Sequence, residues 1–215
     1  MLRGTTGGGG PLGREAVLVP VKAFGRAKGR LSGVLTEDGR RRLAMAMAEH
    51  VLEAARPLAV AVVCDDREVA DWARRLGALV IWEPGRGLNG AVEAGVGHLA
   101  TMGVERAIVA HADLPLPEGL GGIARFEGVT LVPDHRDDGT NVIGLPTRCS
   151  FRFSYGPGSF DRHRSACQSS GVDWRIVRHP ELALDIDSPT DLWADPRWAH
   201  LIAEVLPLPS KRDER

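Results

Sequence analysis

Short aliphatic runs, each closing on a loop rich in glycine, proline or charge, alternate along this chain with stretches of helical periodicity. That alternation predicts the α/β class: a mixed, mostly parallel sheet with helices on both faces. Residues 16–21 (Ala-Val-Leu-Val-Pro-Val) read as the first strand. Thr36 is placed to cap a helix in which Leu43, Met47 and Val51 recur at i, i+4 and i+8, running to about residue 55. Residues 58–64 form the second strand, and 66–76 a helix closed by Gly77. Residues 78–82 form the third. Asn89 can cap a helix that runs to about Met102 and stops at Gly103, and 106–110 is the fourth strand. Strands at 129–132 and 141–145 flank the polar loop 135–139, and a helix begins near Ser159. Strands at 174–177 and 182–186 precede a closing helix from Pro189 to about Leu206.

No linker or internal repeat interrupts this pattern, so the 215 residues are read as one domain over 14–206. The glycine-rich segment 1–13 and the polar segment 207–215 are expected to be disordered tails. Twenty-seven basic against 28 acidic residues give a net charge of -1, which argues against a dedicated nucleic-acid or membrane-surface binder. Any anion site must therefore be built locally. Cys64, Cys149 and Cys167 are odd in number and form no C-x-x-C pair, which fits a reducing compartment and no zinc site. With no signal-like apolar segment and no bilayer-length run, a cytoplasmic location is the expectation. A homodimer is allowed by the sequence and not required by it.

The predicted strand ends carry the chemistry, as ligands of open α/β sheets bind there. After the first strand, Lys22, Arg26, Lys28 and Arg30 fall within nine residues, with Gly25 and Gly29 among them. Cations compensate a triphosphate, and glycines let main-chain N–H groups approach it. The loop is neither a Walker A sequence nor a dinucleotide fingerprint, and a solvated basic loop would look the same. Asp113 follows the fourth strand, with Pro115 forcing an extended exit. Asp185 and Asp187 flank Ile186, so in extended chain both face one side. Carboxylates with phosphate oxygens are the usual ligands of Mg²⁺. For Asp187 the alternative is a cap on the helix beginning at Pro189.

A second candidate region comprises Gly139-Thr140-Asn141 and the turn from Tyr155 to Phe160, where a glycine-rich loop opens into a helix and offers N–H groups to an anion. Ser159 is placed to cap that helix and to donate its hydroxyl. His163, one turn further, either faces the same anion or is a partly exposed helical histidine. The remaining histidines show no metal spacing and receive no chemistry, and the cysteines lack a catalytic base.

Taken jointly, P-V-K-x4-A-K-G-R-L, Gly87-Leu88-Asn89, A-D-L-P, D-G-T-N, Y-G-P-G-S-F-x-x-H and D-I-D-S-P resemble the guanylyltransferases of deazaflavin-coenzyme biosynthesis, over about residues 16 to 195. These act on 2-phospho-L-lactate or phosphoenolpyruvate. The resemblance implies a single-domain, Rossmann-like nucleotidyltransferase that moves GMP from GTP to a phosphorylated three-carbon acid, releasing pyrophosphate. It implies Lys22, Lys28 and Arg30 at the triphosphate, Asn89 in the nucleotide pocket and Asp113, Asp185 and Asp187 on Mg²⁺. Thr140, Gly156 and Ser159 would hold the acceptor's carboxylate and phosphate. The family often has a hydroxyl residue after the A-K pair, where this chain has Gly29, so only a main-chain phosphate contact survives there. Two rival readings are another nucleotidyltransferase of this frame, cytidylyl- or molybdopterin-type, and a non-catalytic nucleotide-sensing domain.

Overall fold

A computed structural model describes residues 12–203 and 205. The expected tails, apart from Leu12 and Gly13, lie outside the described residues. Among those described, β1 (Glu15–Pro20), β2 (Ala59–Cys64), β3 (Leu79–Trp82), β4 (Arg106–Ala110), β5 (Val129–Pro133), β6 (Thr140–Pro146) and β7 (Trp174–Ile176) form a single sheet. Its order is β3-β2-β1-β4-β6-β5-β7. β3, β2, β1 and β4 are mutually parallel. β6 runs antiparallel to both β4 and β5, while β7 is parallel to β5.

β1 is apolar and buried from Ala16 to Val19 because both of its faces are covered, as in parallel sheets generally. Val17 and Val19 pack in one core with residues of α1 (Glu37–Ala54), α2 (Arg67–Arg75) and α4 (Leu120–Ile123). Ala16 and Leu18 face the opposite core, with α3 (Gly87–Thr101) and α5 (Ser159–Ser170). A third cluster joins Leu31, Leu43 and Met47 to Ile186, Trp198 and α6 (Ala199–Ala203). It ties the loop after β1 to the 185–187 segment.

Local signals set most element ends. Thr36 Oγ1 accepts from Gly39 N at 3.0 Å and Asp66 Oδ1 from Val69 N at 3.1 Å, capping α1 and α2. Gly77 adopts the left-handed conformation (φ 80°) just past α2. Four expectations are corrected. Residues 182–186 are no strand: Ala183 N and Leu184 N donate to His179 O and Glu181 O in local turns, and Asn141 Nδ2 donates to Leu182 O. The closing helix is broken into two 3₁₀ turns (Asp191–Trp193, Pro196–Trp198) before α6, because Pro196 has no N–H to continue it. α3 starts at Gly87 with Arg86 at its N-cap, so Asn89 lies within the helix. Gly158, left-handed at φ 69°, holds the cap position of α5, leaving Ser159 as its first helical residue. No helix among the described residues is long and apolar enough to cross a membrane.

Candidate active site

The C-terminal ends of β1 and β4 are neighbours, and antiparallel pairing brings the start of β6 to the same edge. Their loops line a cleft of about 610 Å³ that includes Lys22, Lys28, Arg30, Asp113, Thr140, Gly156, Ser159, Asp185 and Asp187. Nine of the ten residues singled out from the sequence are thus brought together. The tenth, Asn89, is tied to the cleft's edge through Tyr155.

The loop after β1 is anchored by two apolar plugs. Phe24 is buried edge-to-face on Trp72, centroids 5.1 Å apart, and Leu31 is fully buried in the third cluster. Between them Lys28 adopts a left-handed backbone (φ 54°, ψ 38°), a conformation uncommon for a side chain of this kind. The loop's glycines need no such freedom: Gly25 and Gly29 have no positive φ, and a Cβ on either would meet nothing within 4 Å.

That backbone turns Lys28 inward. Its Nζ is 2.8 Å from both Asp113 Oδ2 and Asp187 Oδ1, with the side chain 6% exposed. Burial works against its charge, but the two carboxylates prevail and raise its pKa above the usual value. Burial likewise opposes ionisation of Asp113, yet Lys28 and His111 hold it well below the ordinary carboxylate range. Asp185 has no cation within hydrogen-bond distance, and the pull of Lys28 on it is outweighed. Burial first, then the Asp113 and Asp187 carboxylates, push its pKa up to about 7. Arg30 Nη1 stands 4.0 Å from Asp187 Oδ2, and Arg30 and Lys22 are exposed at the mouth.

Asp113 Oδ1 and Asp185 Oδ1 are buried with no hydrogen-bond donor, a costly state for a carboxylate oxygen. The closest ion-pair contacts are long: His111 Nδ1 is 3.9 Å from the first and His135 Nδ1 3.7 Å from the second. Two repelling carboxylates with free lone pairs fit a divalent cation that prefers oxygen. Among the described residues no three His, Cys, Asp or Glu side chains are grouped to hold a metal by themselves. A cation here would take further ligands from phosphate or water, as Mg²⁺ commonly does.

On the opposite wall, Asn89 Oδ1 accepts from Tyr155 N at 2.6 Å and its Nδ2 donates to Tyr155 O at 3.5 Å, so the side chain clamps the glycine loop's main chain. Arg162 donates to the carbonyls of Ser154, Gly156 and Pro157. The expectation of free N–H groups at this helix start is corrected at three positions. Gly158 N donates to Asp138 Oδ1, Ser159 N to Gly156 O and Phe160 N to Asp138 O. Thr140 and Ser159, only 1% and 2% exposed, and Arg136 are among the residues that line the cleft.

Several residues here escaped the sequence reading. His111 lines the cleft with Nε2 buried and unpartnered, as is the Tyr155 hydroxyl, and burial lowers the His111 pKa. Its signal was its place directly after the apolar run of β4, two residues before Asp113. Asp191 Oδ2 accepts from the main chain of Asp187 (3.0 Å) and Ser188 (2.7 Å), and its Oδ1 accepts from Arg136. This, not a helix cap by Asp187, fixes the D-I-D-S-P segment. His163 is fully buried rather than partly exposed.

Residues 15–194 match the family model described as "Guanylyl transferase CofC like". Among curated proteins, the phosphoenolpyruvate guanylyltransferase of Sphaerobacter thermophilus is 36% identical over 184 residues, covering 81% of this chain and 89% of that protein. Its namesake from Rubrobacter xylanophilus is 37% identical over 184 residues, covering 81% and 90%. Among solved structures, a putative nucleotide-diphospho-sugar transferase from Desulfovibrio desulfuricans superposes with a TM-score of 0.66 at 15% identity, over 89% of this chain and 98% of that one. That likeness is one of fold.

Proposed function

Because the chain belongs to the CofC-like guanylyl transferase family and is a nucleotidyltransferase, we propose that it transfers GMP from GTP to the phosphate of phosphoenolpyruvate, in deazaflavin-coenzyme biosynthesis. An oxygen of the acceptor phosphate forms a bond to the α-phosphorus. The bond from that phosphorus to the α–β bridging oxygen breaks, and pyrophosphate leaves with the electron pair. The acceptor oxygen is already anionic at neutral pH, so no general base is needed, and positioning with charge neutralisation supplies the rate.

In this reading Lys22, Lys28 and Arg30 neutralise the triphosphate, with Asn89 holding the loop that borders the nucleotide. Thr140, Gly156 and Ser159 receive the acceptor. Asp113 and Asp185 would hold Mg²⁺, and Asp187 would join them as Lys28 turns toward phosphate. When bound, the ion offsets repulsion between two anionic reactants and stabilises the departing pyrophosphate. The observation that supports the residue assignment best is the pair of buried, donor-less carboxylate oxygens on Asp113 and Asp185 in a cleft that Lys22, Arg26, Lys28, Arg30 and Arg136 also line. Three free cysteines are consistent with a cytoplasmic setting.

The test combines each of GTP, ATP, CTP and UTP with Mg²⁺ and phosphoenolpyruvate, 2-phospho-L-lactate or 3-phosphoglycerate, reading products by mass spectrometry and pyrophosphate release. The guanylyl adduct of phosphoenolpyruvate is the expected main product. A dominant product with another base or acid would replace this reading.

A further inference from the structure

His163 has no part in the chemistry above, yet it is fully buried on α5, edge-to-face against Tyr155 with centroids 4.9 Å apart. Both ring nitrogens have partners. Nε2 lies 2.9 Å from the main-chain N of Ser154, and Nδ1 lies 3.0 Å from Thr140 Oγ1. A backbone N–H can only donate, so Nε2 is the acceptor and carries no proton. Burial first, then Arg162 and His111, hold the ring neutral, with its pKa lowered to about 4. A neutral imidazole with a bare Nε2 must carry its proton on Nδ1.

That proton points at Thr140, whose hydroxyl oxygen therefore accepts. A hydroxyl has one proton of its own, and Thr140 Oγ1 shows no other hydrogen-bond partner among the described residues. Thr140 lines the cleft. The opposite tautomer would let Thr140 direct its proton to the ring and present only lone pairs to an anion. We propose that His163, held as the Nδ1–H tautomer by the Ser154 amide, is a positioning residue that commits the Thr140 hydroxyl to donating to the acceptor's anionic group. This rests on the reading of Thr140 as an acceptor-binding residue. The same ring fastens Ser154, at the start of the glycine loop, to the first residue of β6, so both sides of the acceptor pocket share one hinge point.

Nitrogen-15 chemical shifts of His163 in the labelled wild-type protein read the tautomer directly. A protonated-type shift at Nδ1 and an unprotonated one at Nε2 are expected; the reverse overturns the proposal. In kinetics with GTP, Mg²⁺ and phosphoenolpyruvate, Thr140→Val should raise KM for phosphoenolpyruvate about tenfold and leave that for GTP within about twofold. His163→Phe, which removes both ring hydrogen bonds and leaves the Thr140 hydroxyl unoriented, should raise the same KM, and the double variant should be no worse than the worse single one, since Thr140→Val already lacks the hydroxyl that His163 orients. Losses that multiply, an equal rise in KM for GTP, or an unchanged KM in Thr140→Val would sink it.

Should His163→Phe fail to fold, His163→Gln offers one acceptor and one donor, and it should stay within about threefold of wild type while His163→Leu does not. Equal Gln and Leu variants overturn the assignment. If the wild type moves no guanylyl group to phosphoenolpyruvate, the functional reading fails separately. The nitrogen shifts, with calorimetric binding of phosphoenolpyruvate to wild type and Thr140→Val, still decide the His163 assignment.

Discussion

Lys28 concentrates the tension of the site in one side chain. Its left-handed backbone costs on the order of 1 kcal/mol or more, a strain typical of functional positions. In return its ammonium sits between Asp113 and Asp187. The glycine beside it, Gly29, carries none of this strain. Asp113→Asn keeps the shape of the site and leaves Asp187 to pair with Lys28, so the fold should survive. With Asp113 in the proposed role of Mg²⁺ ligand, turnover should fall by about two to four orders of magnitude. Steady-state kinetics beside a melting curve check this, and near-wild-type turnover would remove Asp113 from the metal assignment. The identity of the acidic residues could be read from their places after apolar runs. The partner of each could not, since Lys28 and Asp187 are separated by 159 positions in the chain.

At the scale of elements, α3 and α5 carry the sharpest expectations. α3 packs on β1 so closely that a Cβ on Gly95 would lie 2.7 Å from Leu18 Cδ2, whereas one on Gly97 would meet nothing within 4 Å. Gly95→Ala should therefore destabilise the fold by about 1–3 kcal/mol through overpacking. Gly97→Ala, on the exposed side of the same helix, should stabilise it by about 0.5–1 kcal/mol. Denaturant midpoints separate the two, and equal effects would contradict the helix's orientation. α5 carries buried His163, whose pKa falls from 6.5 to about 4. The unfolded chain binds the proton more readily, so stability is fully present above about pH 6.5 and is lost as pH falls toward 4, by a few kcal/mol at most. Melting temperatures across that window should drop more steeply for wild type than for His163→Gln; parallel slopes would refute it. Most element positions were legible because caps and periodicity are local: Thr36, Asp66 and Gly77 act within one turn of themselves. Residues 182–186 misled because an aliphatic run suits a strand, but apart from one main-chain bond, His135 N to Ala183 O, its hydrogen bonds go to local turns and to the Asn141 side chain.

In the whole molecule, the cleft exists because strand order brings the ends of β1 and β4 together and the reversed β6 delivers Thr140 beside them. The C-terminal segment then closes over α1, burying Ile186 and Trp198 and carrying Asp185 and Asp187 back to the site. With Lys28 already paired to two of the three carboxylates, Mg²⁺ alone should raise the melting temperature little. GTP with Mg²⁺ should raise it by several degrees, about 2.7 kcal/mol at a hundredfold excess over Kd. Thermal shift with GTP, ATP and Mg²⁺ alone reads this, and a full shift from the metal alone would contradict the role given to Lys28. From the sequence by itself came the α/β class, the strand and helix sites, and the residue types the chemistry requires, because backbone periodicity and capping are written within a few neighbouring positions. Only the tertiary structure decided that β6 runs against the sheet, that Asp185 arrives on a loop, that Asn89 clamps Tyr155, and that His163 is a buried link to Thr140. Those depend on which distant groups meet, and such meetings are fixed by burial and pairing across the whole fold.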